Sequence, residues 1–242
     1  MHEFLELSIS NEIAFDVSLH LGTLLSVVLC FRKEIFLLIR SFILSLGGKK
    51  DEYSRTSWLI ILATIPAGVL GFLFDDLIES KLHGDWSMMV TATMLIVVAI
   101  LFLWVETREQ KEQKFTSLNW RQSLFIGFAQ ALALIPGTSR SGITIIAGLR
   151  SGLKREEALK FSFLMSIPVI LGASVTKIPA LFEEGLGGDE LLVLVLGFCS
   201  AFIVGILSIN YFLKFARNNN LNFFAYYRIV LALILILYIF VY

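Results

Sequence analysis

GFAQALALIPGTSRSGITIIAGLR, residues 127–150, sets two apolar arms around a polar turn, Pro136-Gly137-Thr138-Ser139-Arg140-Ser141-Gly142. Pro136 lacks an amide donor and Gly137 frees the backbone, so the first helical arm should stop there. A second helix is expected to start at Ser141 or Gly142, leaving N–H groups that point at the turn. An arginine buried in lipid-soluble sequence is costly, so Arg140 is expected to face a cavity or a substrate. A helix start, three hydroxyls and a guanidinium together suit an anion, above all a phosphate. The alternative is a Pro/Gly break in an ordinary helix, with Arg140 snorkelling to the headgroups. That alternative leaves the gathered hydroxyls without a purpose.

Working outward, the 242-residue chain is 57% hydrophobic and only 17% charged. A soluble domain of this size has too little interior for that much apolar sequence, which makes a polytopic membrane protein the default. A formal net charge of zero gives no basic footprint for nucleic acid. Cys30 and Cys199 each lie in apolar runs and read as small buried hydrophobes. Two cysteines, three histidines and no HExxH-like pattern speak against a zinc enzyme. The first dozen residues carry Glu3, Glu6 and Glu12 without a basic start, unlike a cleavable signal. No Gly/Ser-rich or Pro-rich linker divides the chain, so a single membrane domain over 1–242 is expected.

Apolar runs at 13–31, 58–74, 88–105, 161–181, 191–213 and 223–242 are long enough to span. The run 36–46 is too short, carries Arg40, and reads as an interfacial helix. Basic loops at 32–55, 106–121, 150–160 and 214–217 should be cytoplasmic, and acidic loops near 75–79 and 183–190 external. The segment 122–150 then has basic loops at both ends and must enter and leave by one face. Two arms from about 29 residues reach roughly 20 Å each, short of a crossing. The spacing predicts a re-entrant hairpin over 122–150, and irregular backbone at that depth is tolerated only around a cavity or inside protein. Trp58, Trp86, Trp104 and Trp120 sit at span ends as interface anchors do, and Tyr226-Tyr227-Arg228 reads as another anchor cluster. Glu156 and Glu157 read as a solvated helix start, and His20 as a residue that packs or hydrogen-bonds within a span.

A weak internal repeat relates 15–25, FDVSLHLGTLL, to 161–171, FSFLMSIPVIL, with opposed directions by loop charge. Opposed copies mark inverted-topology membrane folds with sites near the midplane. The fold class expected is therefore all-α: a polytopic integral membrane protein with inverted repeats and a re-entrant helical hairpin.

Residues 130–142, then 155–164 (REEALKFSFL) with Ile167-Pro168, closely resemble the bacitracin-resistance type of undecaprenyl-diphosphate phosphatase. The resemblance continues in Phe15-Asp16-Val17 with His20-Leu21-Gly22-Thr23, in Ile65-Pro66-Ala67-Gly68 and in Gly127, and so covers essentially the whole chain. It implies hydrolysis of a C55 polyprenyl diphosphate to the monophosphate, recycling the carrier for peptidoglycan synthesis and giving bacitracin resistance. It also implies Ser139 and Arg140 as the catalytic pair, with Gln130, Gly137, Thr138, Ser141 and Gly142 binding the diphosphate. A divalent cation, Mg²⁺ or Ca²⁺, is implied as cofactor. Implied partners are the polyprenyl diphosphate lipid, the membrane and a second copy of the chain, in the bacterial inner (plasma) membrane. The family's first hairpin carries two glutamates four apart and a serine-rich turn with Gly-His. Before Phe15 this sequence has only MHEFLELSISNEIA, with Glu3 and Glu6 three apart. The chain is thus expected to lack about one N-terminal hairpin, which by the resemblance would supply a nucleophile and the carboxylates that hold the cation, and it offers no evident base. On physics alone, a lipid-phosphate flippase or a diphosphate-binding remnant fits a midplane anion site as well.

Overall fold

A computed structural model describes residues 12–74, 87–108, 112–184 and 188–241. Its elements are helices: α1 Glu12–Cys30, α2 Arg32–Leu46, α3 Glu52–Leu73, α4 Ser87–Glu106, α5 Trp120–Ala131, α6 Arg140–Arg150, α7 Arg155–Glu184, α8 Gly188–Asn218 and α9 Asn222–Val241. Among the described residues five helical stretches are long and apolar enough to cross a membrane: α3, α4, Arg155–Val175, Leu191–Asn218 and α9. A sixth arises if α1 and α2, bent by 85° at Phe31, count as one broken span. The chain is an all-α, multi-pass membrane protein. The acidic segment 75–79, residues 185–187 at the middle of the acidic loop 183–190, Trp86, and the N-terminal stretch on which the missing-hairpin expectation rests lie outside the described residues. The two segments of the internal repeat are both helical, in α1 and α7.

The bend at Phe31 separates α1 from an amphipathic helix, α2. In α2, Phe36, Ile39, Ile43 and Leu46 are exposed while Leu38 and Ser41 are buried. That stripe, beside Arg32, Lys33 and Arg40, is the pattern of a helix lying in the interface.

Contacts divide the chain into two compact units. One comprises the N-terminal part up to Phe36 with Ser166–Phe212; the other comprises Leu37–Met165 with Leu213–Tyr242. In the first, glycines let helices touch: a Cβ on Gly22 would meet the Phe198 carbonyl oxygen at 2.5 Å, and one on Gly205 the Ser26 Oγ at 2.4 Å. Small residues at such crossings are how membrane helices gain van der Waals contact where lipid offers no hydrophobic drive.

The second unit contains the basic loops, and they are tied together. Arg55 donates from Nη2 to the Leu118 carbonyl at 2.7 Å, and Thr116 hydrogen-bonds Glu52. The Phe115 N–H donates to Glu157 Oε2 at 3.1 Å, and Gln113 pairs with the backbone of Gly152 and Lys154. Glu106, its side chain 2% exposed, takes the Arg155 guanidinium at 3.0 Å and the Leu221 N–H at 3.1 Å. Arg217 forks onto Glu156 at 2.7 and 2.9 Å. Residues 51–55, 106–108, 112–118, 150–160 and 214–221 therefore share one side, as the positive-inside count requires. Glu156 and Glu157 do sit in the first turn of α7, but their side chains are only about one-seventh exposed, at 15% and 14%. They are members of this network rather than a solvated helix start, because Arg217, Lys160 and the Phe115 N–H need acceptors.

Candidate active site

The hairpin forms as two short helical arms, α5 and α6, joined by a 3₁₀ turn at Leu132–Leu134 and the Pro-Gly tip. It begins at Trp120, two residues before the sequence boundary, because Asn119 and Gln122 close a capping box there. With 12 and 11 residues, the arms rise about 18 and 17 Å, well short of a hydrocarbon core of roughly 30 Å. At the base, Gln122 Nε2 donates to the Ser151 carbonyl at 2.7 Å, so the two ends of the hairpin lie together. The chain thus enters and leaves on one face.

Helices of the same unit hold the arms. Ser123 Oγ donates to the Leu59 carbonyl of α3 at 2.6 Å, and Gly127 lies so close to Ala63 that a Cβ would meet its carbonyl oxygen at 2.4 Å. On the other arm every residue from Gly142 to Leu149 is buried. Thr144 Oγ1 joins Ser162 Oγ of α7 at 2.7 Å and also donates back to the Arg140 carbonyl at 2.9 Å.

The tip is built by its glycine. Thr138 N–H donates to the Ile135 carbonyl at 3.2 Å, closing a turn with Pro136 and Gly137 at its centre. Gly137 has φ +83°, the left-handed value such a Pro-Gly turn needs. A Cβ there would also sit 2.5 Å from the Thr91 carbonyl oxygen of α4. Ser139 comes next with φ +51°, the one positive φ outside glycine among the described residues. Such a backbone persists only where its surroundings impose it, and it gathers at ligand sites. Here it lets Ser139 cap α6, its Oγ accepting the Gly142 N–H at 3.3 Å. The second helix therefore starts at Arg140, one residue before the earlier of the two expected starts, because the cap is Ser139 itself. Gly142 and Ile143 spend their N–H groups on Ser139, while those of Arg140 and Ser141 have no helical acceptor.

Arg140 turns back across the tip. Its Nε donates to Oε1 of Gln130, on the last turn of α5, at 3.0 Å. Three donor-bearing atoms around this pair are buried without a partner: Arg140 Nη2, Gln130 Nε2 and Thr138 Oγ1. Buried polar atoms are nearly always satisfied, so three orphans at one turn call for a ligand. With the exposed Ser139 hydroxyl and the Arg140 and Ser141 amides, the tip is rich in donors and poor in acceptors, as an anion site is. Gln130, Gly137, Thr138, Ser139, Arg140, Ser141 and Gly142 thus come together in one place.

Arg228 joins them, although by its neighbours in the chain it reads as an interface anchor. It is 7% exposed, and its Nη2 donates to the Gly137 carbonyl at 2.7 Å, pinning the tip to α9. Its Nε is another buried donor without a partner. An arginine six residues into a span lies roughly 9 Å beyond its start, too deep for an ordinary interface anchor. The divalent cation meets no such site: among the described residues no three His, Cys, Asp or Glu side chains gather to hold a metal. His20 and the tip belong to different units.

Fold and site together define a polytopic helical membrane protein with a half-crossing hairpin whose tip collects unpaired donors. The family described as bacitracin resistance protein BacA matches residues 1–234, and the chain belongs to that family. It is similar to the undecaprenyl-diphosphatase of Rubrobacter xylanophilus, 40% identical over 223 residues that cover 91% of this chain and 81% of the relative. The enzyme of the same name from Aliivibrio salmonicida is 40% identical, again over 91% and 81%. That of Corynebacterium glutamicum is 41% identical over 93% of this chain and 76% of the relative.

Proposed function

We propose that this protein hydrolyses undecaprenyl diphosphate to undecaprenyl phosphate and phosphate in the bacterial plasma membrane, recycling the lipid carrier for peptidoglycan synthesis and conferring bacitracin resistance. Undecaprenyl-diphosphatases of about 40% identity across more than 90% of the chain support the activity. The observation that carries it to particular residues is the set of orphaned donors around the Gln130–Arg140 bond.

Breaking a phosphoanhydride requires charge neutralisation on the phosphoryl oxygens and a nucleophile, ultimately water, in line with the bond to the leaving undecaprenyl phosphate. Arg140 offers a permanent charge and a free Nη2 to the non-bridging oxygens, where negative charge shifts as the bond to the leaving group opens. Gln130 fixes the guanidinium through Nε and presents its own Nε2 to the same anion. The Arg140 and Ser141 amides, the Thr138 hydroxyl and the Ser139 hydroxyl complete the cradle. Ser139 serves here as a donor to the phosphoryl group rather than as its nucleophile, since its Oγ caps α6. Gly137 and Gly142 keep the backbone close enough for the amides to reach. The divalent cation implied by the family resemblance has no ligand set among the described residues, so the chain's own donors carry this account.

Phosphate release from undecaprenyl diphosphate by the purified protein in nanodiscs tests the proposal, with Arg140→Ala alongside. Turnover that Arg140→Ala abolishes supports it; lipid movement without phosphate release would make the protein a flippase. A homodimer, the remaining partner expectation, is read from the mass of the nanodisc particle.

A further inference from the structure

His20 is the ninth of the 19 residues of α1. An ionisable ring that far along a spanning helix is expected to have a use. Its Nδ1 lies 2.8 Å from the Asp16 carbonyl oxygen one turn earlier. A carbonyl only accepts, so Nδ1 carries the proton, and Nε2 of the neutral ring is left as a lone-pair acceptor.

Within the same compact unit, Val17, His20, Ala173 and Ser174 line a partly open pocket of about 30 Å³, His20 itself being exposed. Ser174 is 6% exposed and its Oγ has no hydrogen-bond partner. A serine in the middle of a helix ordinarily gives its hydroxyl to a carbonyl three or four residues back. Ser18, Thr23 and Ser26 do so in α1, at 2.6–2.8 Å. Ser174 does not, and it borders the cavity instead. One wall thus offers an O–H donor, another an imidazole acceptor, and among the described residues Val17 and Ala173 add apolar surface.

That space admits a water, which needs roughly 10–15 Å³ of such room and two to four polar partners. Among the described lining residues a bare cation would meet two neutral groups, short of its coordination needs. We propose that His20 and Ser174 form a water site, in which one water accepts the Ser174 O–H and donates to His20 Nε2. The site locks the Nδ1–H tautomer and keeps a water beside a proton acceptor partway along α1. It is independent of the phosphatase assignment.

Nitrogen-15 NMR of the full chain in nanodiscs tests this near neutral pH, with His2→Gln and His83→Gln leaving one histidine signal. The expected spectrum is a neutral ring protonated at Nδ1, with magnetisation transfer from water to Nε2. Ser174→Ala should lose that transfer and Ser174→Thr, which keeps the hydroxyl, should retain it. A ring protonated at Nε2, or doubly protonated, would overturn the proposal, as would equal transfer in Ser174→Ala. If Ser174→Ala does not fold, the tautomer and water transfer of the unaltered Ser174 protein decide alone.

Discussion

Gln130 and Arg140 clasp each other across the tip of the hairpin, Arg140 Nε donating to Gln130 Oε1 at 3.0 Å. The clasp orients the guanidinium before any anion arrives, and preorganised donors are worth most where water is excluded. Gln130→Ala should therefore leave the fold intact yet slow phosphate release about 10- to 100-fold, from the ~1.5–3 kcal/mol of a hydrogen bond to a charged group. Steady-state phosphate release on undecaprenyl diphosphate measures this. An unchanged rate would show that Arg140 needs no such support.

Gly137 makes the tip twice over, through φ +83° and through its contact with Thr91. Gly137→Ala should destabilise the protein by about 1–3 kcal/mol, the range for a strained backbone at a non-glycine residue, with the clash adding to it. Thermal unfolding in detergent checks the effect. A melting temperature equal to the parent's would contradict the tip as described.

Arg228 holds the Gly137 carbonyl from α9. Arg228→Met keeps the apolar stem and removes the donor, so it should lower both phosphatase activity and stability, the latter by about 1.5–3 kcal/mol. Arg228→Lys should recover part of each, because one donor and the charge return. Activity and melting temperature measured on the same preparations separate a displaced tip from a lost fold.

How much of this is legible in the sequence depends on whether the signal is local. The hairpin is legible, because a Pro-Gly break between two apolar arms and basic loops at both ends permit one topology. The seven tip residues are legible because they are contiguous or, for Gln130, one short arm away. Arg228 is not: beside Tyr226 and Tyr227 at the start of a span it matches an interface anchor, and only tertiary packing carries it to Gly137. Its depth in the span is the one local clue. Glu156 and Glu157 mislead in the opposite way, since acids opening a helix are usually solvated, and their partners Arg217 and Phe115 are distant in sequence. The start of α6 differs from expectation by one residue because a serine at φ +51° is rare enough to be discounted.

Asp51 caps α3 and is held below the usual carboxylate range, first by the Ser54 N–H and then by the Ser41 hydroxyl. A lowered folded pKa means that the cap's contribution is full above the unfolded value of roughly 4 and is lost as pH falls through the folded value. Acid should therefore loosen the first turn of α3, and Asp51→Asn should flatten that acid limb. Melting temperature followed from neutral pH down to about pH 3 measures it. An identical acid limb in the variant would show that the cap does not titrate with folding.

The anion cradle around Arg140 is tested most directly by phosphate release from undecaprenyl diphosphate, comparing the unaltered protein with Arg140→Ala and Arg140→Lys in one membrane system. Loss of about 100- to 1,000-fold is expected for Arg140→Ala, the cost of removing a transition-state donor. Arg140→Lys should recover little, since an ammonium cannot donate to Gln130 and to a phosphoryl oxygen in the fork geometry. Arg140→Ala turning over at the parent's rate would contradict the assignment of the hairpin tip as the active site.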